Sequence, residues 1–432
     1  MNKSFVVKKS RLSGKVEIPA SKSHTIRAVA IASLAKGKSK ILSPLVSEDT
    51  LAAVESYKAL GAKIKTENDL WTIEGFGGIP TPIKNIVDTK NSGTTLNIVM
   101  GSCALIRSGE IILTGDQQTK KRPVGPLVQS LNELGASISY EDKQNFPPLI
   151  IKGKLKGGKT ILKALSSQYL TSLLINTPLA SAPTLIDVPL LYEKSYIEMT
   201  LKWLKDEGIQ FKNEDMKKFY IPGNQFYPAF ERKIPSDFSS ATFFLAAGAL
   251  KENDITCFGL DFNDPQGDKA VVDYLKAMGA KIEIGKDFVR VQANSLKGID
   301  IDMNNTPDAL PMMAVIGCFA KEKTRLLNVP QARIKETDRI KIMAQELTKM
   351  GAKIRELEDG LEIEESKLKP AQVDGHNDHR IVMALTIAGL ALEGETIINT
   401  AESTAITFPN FANYIKKLGG NINLSSRESN KI

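Results

Sequence analysis

The sequence predicts a mixed α/β protein of two domains, each assembled from three copies of one small unit. Three observations lead there. The chain has 432 residues, 42% of them hydrophobic and 25% charged, with 31 Gly and 20 Pro, which is globular composition and enough length for two or three domains at roughly 150 residues each. A short phrase then recurs: ALGAKI, ELGASI, KDEGIQF, AMGAKI, KMGAKI and KLGGNI, with its glycines at Gly61, Gly135, Gly208, Gly279, Gly351 and Gly419, 68 to 74 residues apart. Finally, an alanine-rich apolar stretch recurs in the same register, as in ATFFLAAGAL and RIVMALTIAGLAL. Helices apolar nearly all round are buried among other elements, not laid on a surface.

In chain order each unit reads as strand, buried helix, strand, amphipathic helix, strand. The buried helices begin at polar clusters near Lys22-Ser23, Gly93-Thr94, Ser166-Ser167, Ser239-Ser240, Pro307-Asp308 and His379-Arg380. A β-branched strand follows each, and then an amphipathic stretch such as Asp49 to Leu60 or Ile340 to Met350. The phrase glycine ends that stretch by taking the left-handed position after a helix, and the chain enters an alternating strand. Six units too small to stand alone pack three and three, with the boundary near residues 230 to 236, where ERKIPSDFSS around Pro235 reads as a hinge.

Several function classes recede on composition. Cys103, Cys257 and Cys318 lie far apart in apolar runs, so neither a disulfide framework nor a cysteine metal site is supported and a reducing cytoplasm fits. The basic N-terminus has only three consecutive apolar residues, and no apolar run approaches about 18 residues, so secretion and membrane insertion are disfavoured. The net charge of +8 is compatible with nucleic acid, but the basic residues are scattered in short runs. A small acidic substrate explains it equally well.

The polar clusters carry the functional signal. Capping accounts for most of their serines. Yet they also place the cations Lys22, Arg27 and Arg380 at helix starts, where the helix dipole disfavours positive charge. Anions bound between helix ends and basic side chains relieve that conflict. The loop TGDQQTKKRPVGPL adds Arg122, and RIKETDR opens an amphipathic helix running to Met350 that sets Lys335 and Arg339 on one face with Glu336 beside it. GGKT at Gly157 lacks the spacing of a phosphate loop, and His376 and His379 have no supporting cysteine or histidine cluster for a metal. His24 and His379 read as polar groups at helix starts, Trp71 and Trp203 as packing.

Eight phrases together point to a family. ASKSHTIR (from Ala20), NSGTT (from Asn91), RPVGPL (from Arg122), SSQYLTSLL (from Ser166), PDALP (from Pro307), RIKETDRI (from Arg333), NDHRIVMA (from Asn377) and TFPNF (from Thr407) resemble, in order and spacing along nearly the whole chain, the 5-enolpyruvylshikimate-3-phosphate synthases. The resemblance implies a two-domain inverse α/β barrel, or prism, of six βαβαββ repeats. Residues 1–20 join 235–432 in one domain, residues 21–234 form the other, and the active site lies in the interdomain cleft. It also implies enolpyruvyl transfer from phosphoenolpyruvate to the 5-hydroxyl of shikimate 3-phosphate, by a cytoplasmic monomer that uses no metal, organic cofactor, nucleic acid or membrane.

By the same resemblance Lys22, Asp308 and Glu336 are catalytic. Lys22, Ser23, Arg27, Ser166, Ser167, Gln168, Tyr196, Asp308 and Lys335 bind shikimate 3-phosphate; Lys22, Gly93, Arg122, Gln168, Arg339, His379 and Arg380 bind phosphoenolpyruvate. Three positions depart from the family pattern: Asn97 stands where an arginine is usual, Ile406 where a lysine is usual, and Glu193 where a serine faces the substrate phosphate. A carboxylate there repels phosphate unless Glu193 turns away, against Lys194, or Ser195 substitutes. The alternatives are an enolpyruvyl transferase with another acceptor, or a non-catalytic anion- or RNA-binding protein on the same fold. The related UDP-N-acetylglucosamine enolpyruvyl transferases are disfavoured, because they carry Lys-Asn where this chain has Lys22-Ser23 and a loop cysteine where it has Gln117.

Overall fold

The computed structural model describes residues 3–426. The chain divides into two compact units, one of residues 20–234 and the other of residues 1–19 with 235–432. Among the described residues each contains three four-stranded sheets and three long helices buried on nearly every side.

Every sheet repeats one wiring. Its first strand runs parallel to the second, the second pairs antiparallel with the fourth, and the third hangs on the fourth as an edge. In the 20–234 unit, Ile86–Asp88 runs parallel to Ile111–Thr114, which meets Leu149–Lys152 antiparallel, and Ser137–Tyr140 closes the edge. The Gly158–Ala164 sheet follows the same order. The remaining sheet takes its first strand from the end of the segment: Glu231–Lys233 runs parallel to Lys38–Leu42, with Arg232 opposite Ile41. The other unit does likewise with the chain start. Ser13–Glu17 runs parallel to Asp254–Phe258, and Lys3–Lys8 sits between Glu395–Asn399 and Asn421–Ser426, antiparallel to both.

Sequence causes these elements locally. Five of the six buried helices start on a side-chain cap: Ser21, Ser92, Ser166, Asp237 and Asp378 each accept from a backbone N–H one turn in. The Leu310–Phe319 helix has no side-chain cap and carries Pro311 in its first turn, where the missing N–H is one a cap would serve. All six phrase glycines have positive φ, from 75° at Gly208 to 107° at Gly61. At Gly61 a Cβ would lie 2.5 Å from the Thr81 carbonyl oxygen, so a side chain is excluded by contact as well as by backbone conformation. Among the described residues no helix is long and apolar enough to cross a membrane.

The core of each unit lies between its helices and the inner faces of its sheets. Phe238, Phe243, Phe244, Phe408 and Phe411 are fully buried together in one unit; Trp71, Tyr57, Tyr169 and Trp203 are buried in the other. Trp203 donates its indole N–H to His24 Nδ1 at 3.0 Å, and the Arg232 guanidinium stacks over it at 4.2 Å. His24 is thus a buried polar group in the first turn of the Lys22–Leu34 helix, where it ties that helix to the one carrying Trp203.

Candidate active site

In the 20–234 unit, the helices Lys22–Leu34, Gly93–Cys103 and Ser167–Asn176 carry the expected residues at their first turns. Lys22, the first residue of its helix, is held by the buried Asp49 at 3.1 Å. Arg27 lies one turn deeper and is 2% exposed. Its four hydrogen bonds end on neutral oxygens: the Ser23 and Tyr196 carbonyls and the hydroxyls of Thr171 and Thr200. Burial pulls Arg27 down to about 10, so it remains a cation at neutral pH.

Arg122 is delivered by its loop. Asp116 Oδ1 accepts from the N–H groups of Gln118 and Thr119 and starts the short 3-10 turn Thr119–Lys121. The Tyr169 hydroxyl donates to the Pro123 carbonyl at 2.6 Å and ties the loop to the Ser167 helix. Arg122 then reaches over the start of the Gly93 helix, so close that a Cβ on Gly93 would lie 1.9 Å from its Nη1. Beside it, Asn97 donates to Gln168 Oε1 at 2.8 Å and to the Gly93 carbonyl at 2.9 Å, while Gln168 Nε2 donates to Thr94 at 3.1 Å. Asn97 therefore bridges two buried helices where a cation was expected.

Glu193 does not turn toward Lys194. It is 1% exposed and accepts from the Ser167 N–H at 3.1 Å and the Ser167 hydroxyl at 2.6 Å. Ser166 caps the same helix through the Gln168 N–H, and Tyr196 lies one turn into the Lys194–Asp206 helix, half-buried.

In the other unit one arginine organises the site. Arg339 is 1% exposed and contacts Asp378 through Nε at 2.8 Å, Asp308 through Nη1 at 2.7 Å and Glu336 through Nη2 at 2.5 Å. Arg380 holds the second oxygen of Asp308 at 2.8 Å. Burial pulls Arg339 down, but the charges of Asp378, Glu336 and Asp308 outweigh it and keep the guanidinium protonated. His379 is buried at the first position of its helix, next to Arg380. Asp268, hydrogen-bonded by the Ser239 hydroxyl, has its carboxyl pushed well up, first by burial and then by the charge of Asp308.

One expectation is corrected here. Lys335 and Glu336 do not share a helix face with Arg339, because the helix begins only at Arg339. Asp338 caps it by accepting from the Lys341 N–H at 3.0 Å, and the chain before it is a 3-10 turn, Pro330–Ile334, followed by a bend. That bend, not helical spacing, brings Glu336 back onto Arg339. Ile406 is buried at the end of the Ala401–Ile406 turn. His376 pairs with Glu346, and among the described residues no group of three or more His, Cys, Asp or Glu side chains is placed to hold a metal ion.

Asp49, Asp268 and Asp378 were missed as site residues. Asp49 follows a capping Ser47 and Asp378 precedes a helix, so both showed as local cap chemistry. Their pairing with Lys22 and Arg339 is tertiary and leaves no mark on spacing.

The repeated sheets and buried helices place the chain in the class of two-domain inverse α/β barrel proteins. The EPSP synthase (3-phosphoshikimate 1-carboxyvinyltransferase) profile matches residues 6–415. The 3-phosphoshikimate 1-carboxyvinyltransferase of Acetivibrio thermocellus is 52% identical over 416 residues, 96% of this chain and 98% of its own. That of Methanocaldococcus jannaschii is 44% identical over 97% of this chain and 99% of its own. A solved EPSP synthase from Acinetobacter baumannii superposes with a TM-score of 0.82 at 26% identity, covering 99% of this chain and 100% of that one. The chain belongs to the EPSP synthase family.

Proposed function

We infer that this chain transfers the enolpyruvyl group of phosphoenolpyruvate to the 5-hydroxyl of shikimate 3-phosphate, giving 5-enolpyruvylshikimate 3-phosphate and inorganic phosphate. Family membership over residues 6–415 supports the reaction. The observation that carries its chemistry is Asp308 clamped by both Arg339 and Arg380, with Glu336 on the same Arg339.

The balance closes on the two substrates. The 5-hydroxyl oxygen attacks the central carbon of phosphoenolpyruvate as a proton reaches the methylene carbon, giving a tetrahedral intermediate. Phosphate then leaves while that methyl group gives a proton back. Asp308 takes the hydroxyl proton and passes it to the departing phosphate, its two arginine contacts fixing the carboxylate in place. Glu336 serves the methylene carbon, giving it a proton in the addition and taking one back from the methyl group in the elimination. Lys22, steadied by Asp49, meets both substrates. Arg122, Gly93, His379 and Arg380 receive phosphoenolpyruvate, where guanidinium forks match carboxylate and phosphate oxygens. Ser23, Arg27, Ser166, Ser167, Gln168, Tyr196 and Lys335 receive the acceptor. The enzyme works on these two small molecules as a cytoplasmic monomer.

Phosphate release from phosphoenolpyruvate, with and without shikimate 3-phosphate, tests this reading. Release that depends on the acceptor is expected; its absence contradicts the assignment. Lys22→Ala, Asp308→Ala and Glu336→Ala each lower turnover at least about a hundredfold, the scale of positioned acid–base groups, with the circular dichroism spectrum unchanged. Near-normal turnover in all three displaces the site.

A further inference from the structure

The N-terminus of the Ser167–Asn176 helix carries an anion supplied by the chain itself. Glu193 Oε2 accepts both the N–H and the hydroxyl of Ser167, and the residue is 1% exposed. Its backbone stands at φ 58°, ψ 49°, immediately before the Lys194–Asp206 helix. A non-glycine residue is rarely held in this left-handed region, and only when its surroundings fix it there. Arg27 joins the same two helices, donating to Thr171 on one and to the Tyr196 carbonyl and Thr200 on the other. A buried cation and a buried carboxylate therefore each bridge the starts of the same two helices.

We propose that Glu193 is a specificity-determining residue of the acceptor pocket: its carboxylate holds the Ser167 donors against the acceptor's phosphate, which binds only by displacing it. The proposal rests on the assignment of Ser166, Ser167 and Arg27 to shikimate 3-phosphate. One N–H and one O–H cannot serve two anions at once, and like charges brought onto the same donors repel. The tethered carboxylate competes at the high effective concentration of a group already in place. An acceptor with a plain hydroxyl at that position has no charge to be repelled. Glu193 thus narrows the preference between phosphorylated and unphosphorylated acceptors.

The test measures binding of shikimate 3-phosphate and of unphosphorylated shikimate to the full-length wild type, Glu193→Ala and Glu193→Gln, with melting curves to show folding. Gln keeps the volume and removes the charge, so it serves if Ala fails to fold. The expected result is a shikimate 3-phosphate Kd at least tenfold lower in the variants, a shikimate Kd within threefold of wild type, and an unchanged KM for phosphoenolpyruvate. Unchanged or weaker shikimate 3-phosphate binding, or equal gains for both acceptors, overturns the proposal. Phosphate release at saturating shikimate 3-phosphate is read in parallel. Tightened binding without release sinks the transferase reading and leaves the role of Glu193 standing; release with unaltered binding sinks the role of Glu193 alone.

Discussion

Arg339 reaches three carboxylates within 2.8 Å while 1% exposed, and the consequences of disturbing it are specific. Asp378 both pairs with Arg339 and caps the His379 helix through the Arg380 N–H at 2.9 Å. Asp378→Asn keeps the cap and loses the charge; Asp378→Ala loses both. Breaking one arm of a buried ion pair costs about 3 to 5 kcal/mol, and a lost cap adds about 1 kcal/mol. Urea titration should therefore rank Ala below Asn below wild type in midpoint, with slopes alike; equal midpoints would remove Asp378 from the cluster. Gly93 makes a different prediction. A Cβ there meets the far end of the Arg122 side chain, so Gly93→Ala folds normally but pushes the guanidinium aside. The KM for phosphoenolpyruvate should rise about tenfold or more, the scale of one charge-assisted contact at about 1.5 to 3 kcal/mol, with kcat less affected. Wild-type KM in this variant contradicts the placement of Arg122.

Among the elements, the loop before the His379 helix is fastened to the neighbouring Arg339–Lys349 helix by Glu346. Its side chain is 1% exposed; it accepts from the Asp374 N–H at 3.0 Å, pairs with His376 Nε2 at 2.8 Å and holds Lys349. Burial pushes the carboxyl up, but the hydrogen bonds from His376, Lys349 and the Asp374 N–H outweigh it and hold Glu346 at about 2. The Glu346 hydrogen bond raises His376, against burial. The signs are opposite. Stability from Glu346 is present above its ordinary value near 4.5 and lost as pH falls toward about 2. Stability from His376 is complete below its ordinary 6.5 and lost as pH rises through the elevated value. This junction is firmest between those two ordinary values. Glu346→Gln should lower the melting temperature most within that window and so flatten its fall on either side, and a profile with the wild-type shape would contradict the pairing. Expectation and structure differ most at this scale around Lys335. KETDR reads equally as an i to i+4 face and as a bend stopped by a capping Asp338, and only the fold chooses the second.

At the scale of the whole chain, the sixfold repeat was legible because its causes are local: a cap, an apolar helix, a glycine with positive φ. The strand exchange was legible only through the resemblance, which joined residues 1–20 to 235–432; nothing in residues 3–8 or 231–233 taken alone says that they complete sheets whose other strands lie elsewhere in the sequence. The polar clusters announced Lys22, Arg27 and Arg380 through charge set against a helix dipole, while Asp49 and Asp378 stayed hidden because cap and ion-pair partner are written with the same residue. Glu193 was legible as a misplaced carboxylate and illegible as the occupant of the Ser167 donors, which depends on two helix starts meeting in space. The most direct measurement of the central claim, enolpyruvyl transfer by addition and elimination, follows an oxygen atom. Shikimate 3-phosphate labelled with heavy oxygen at the 5-hydroxyl is turned over with phosphoenolpyruvate and both products are weighed by mass spectrometry. The account predicts that the label stays in the enol ether and that the released phosphate carries none; label in the phosphate, or no enol ether formed, would contradict it.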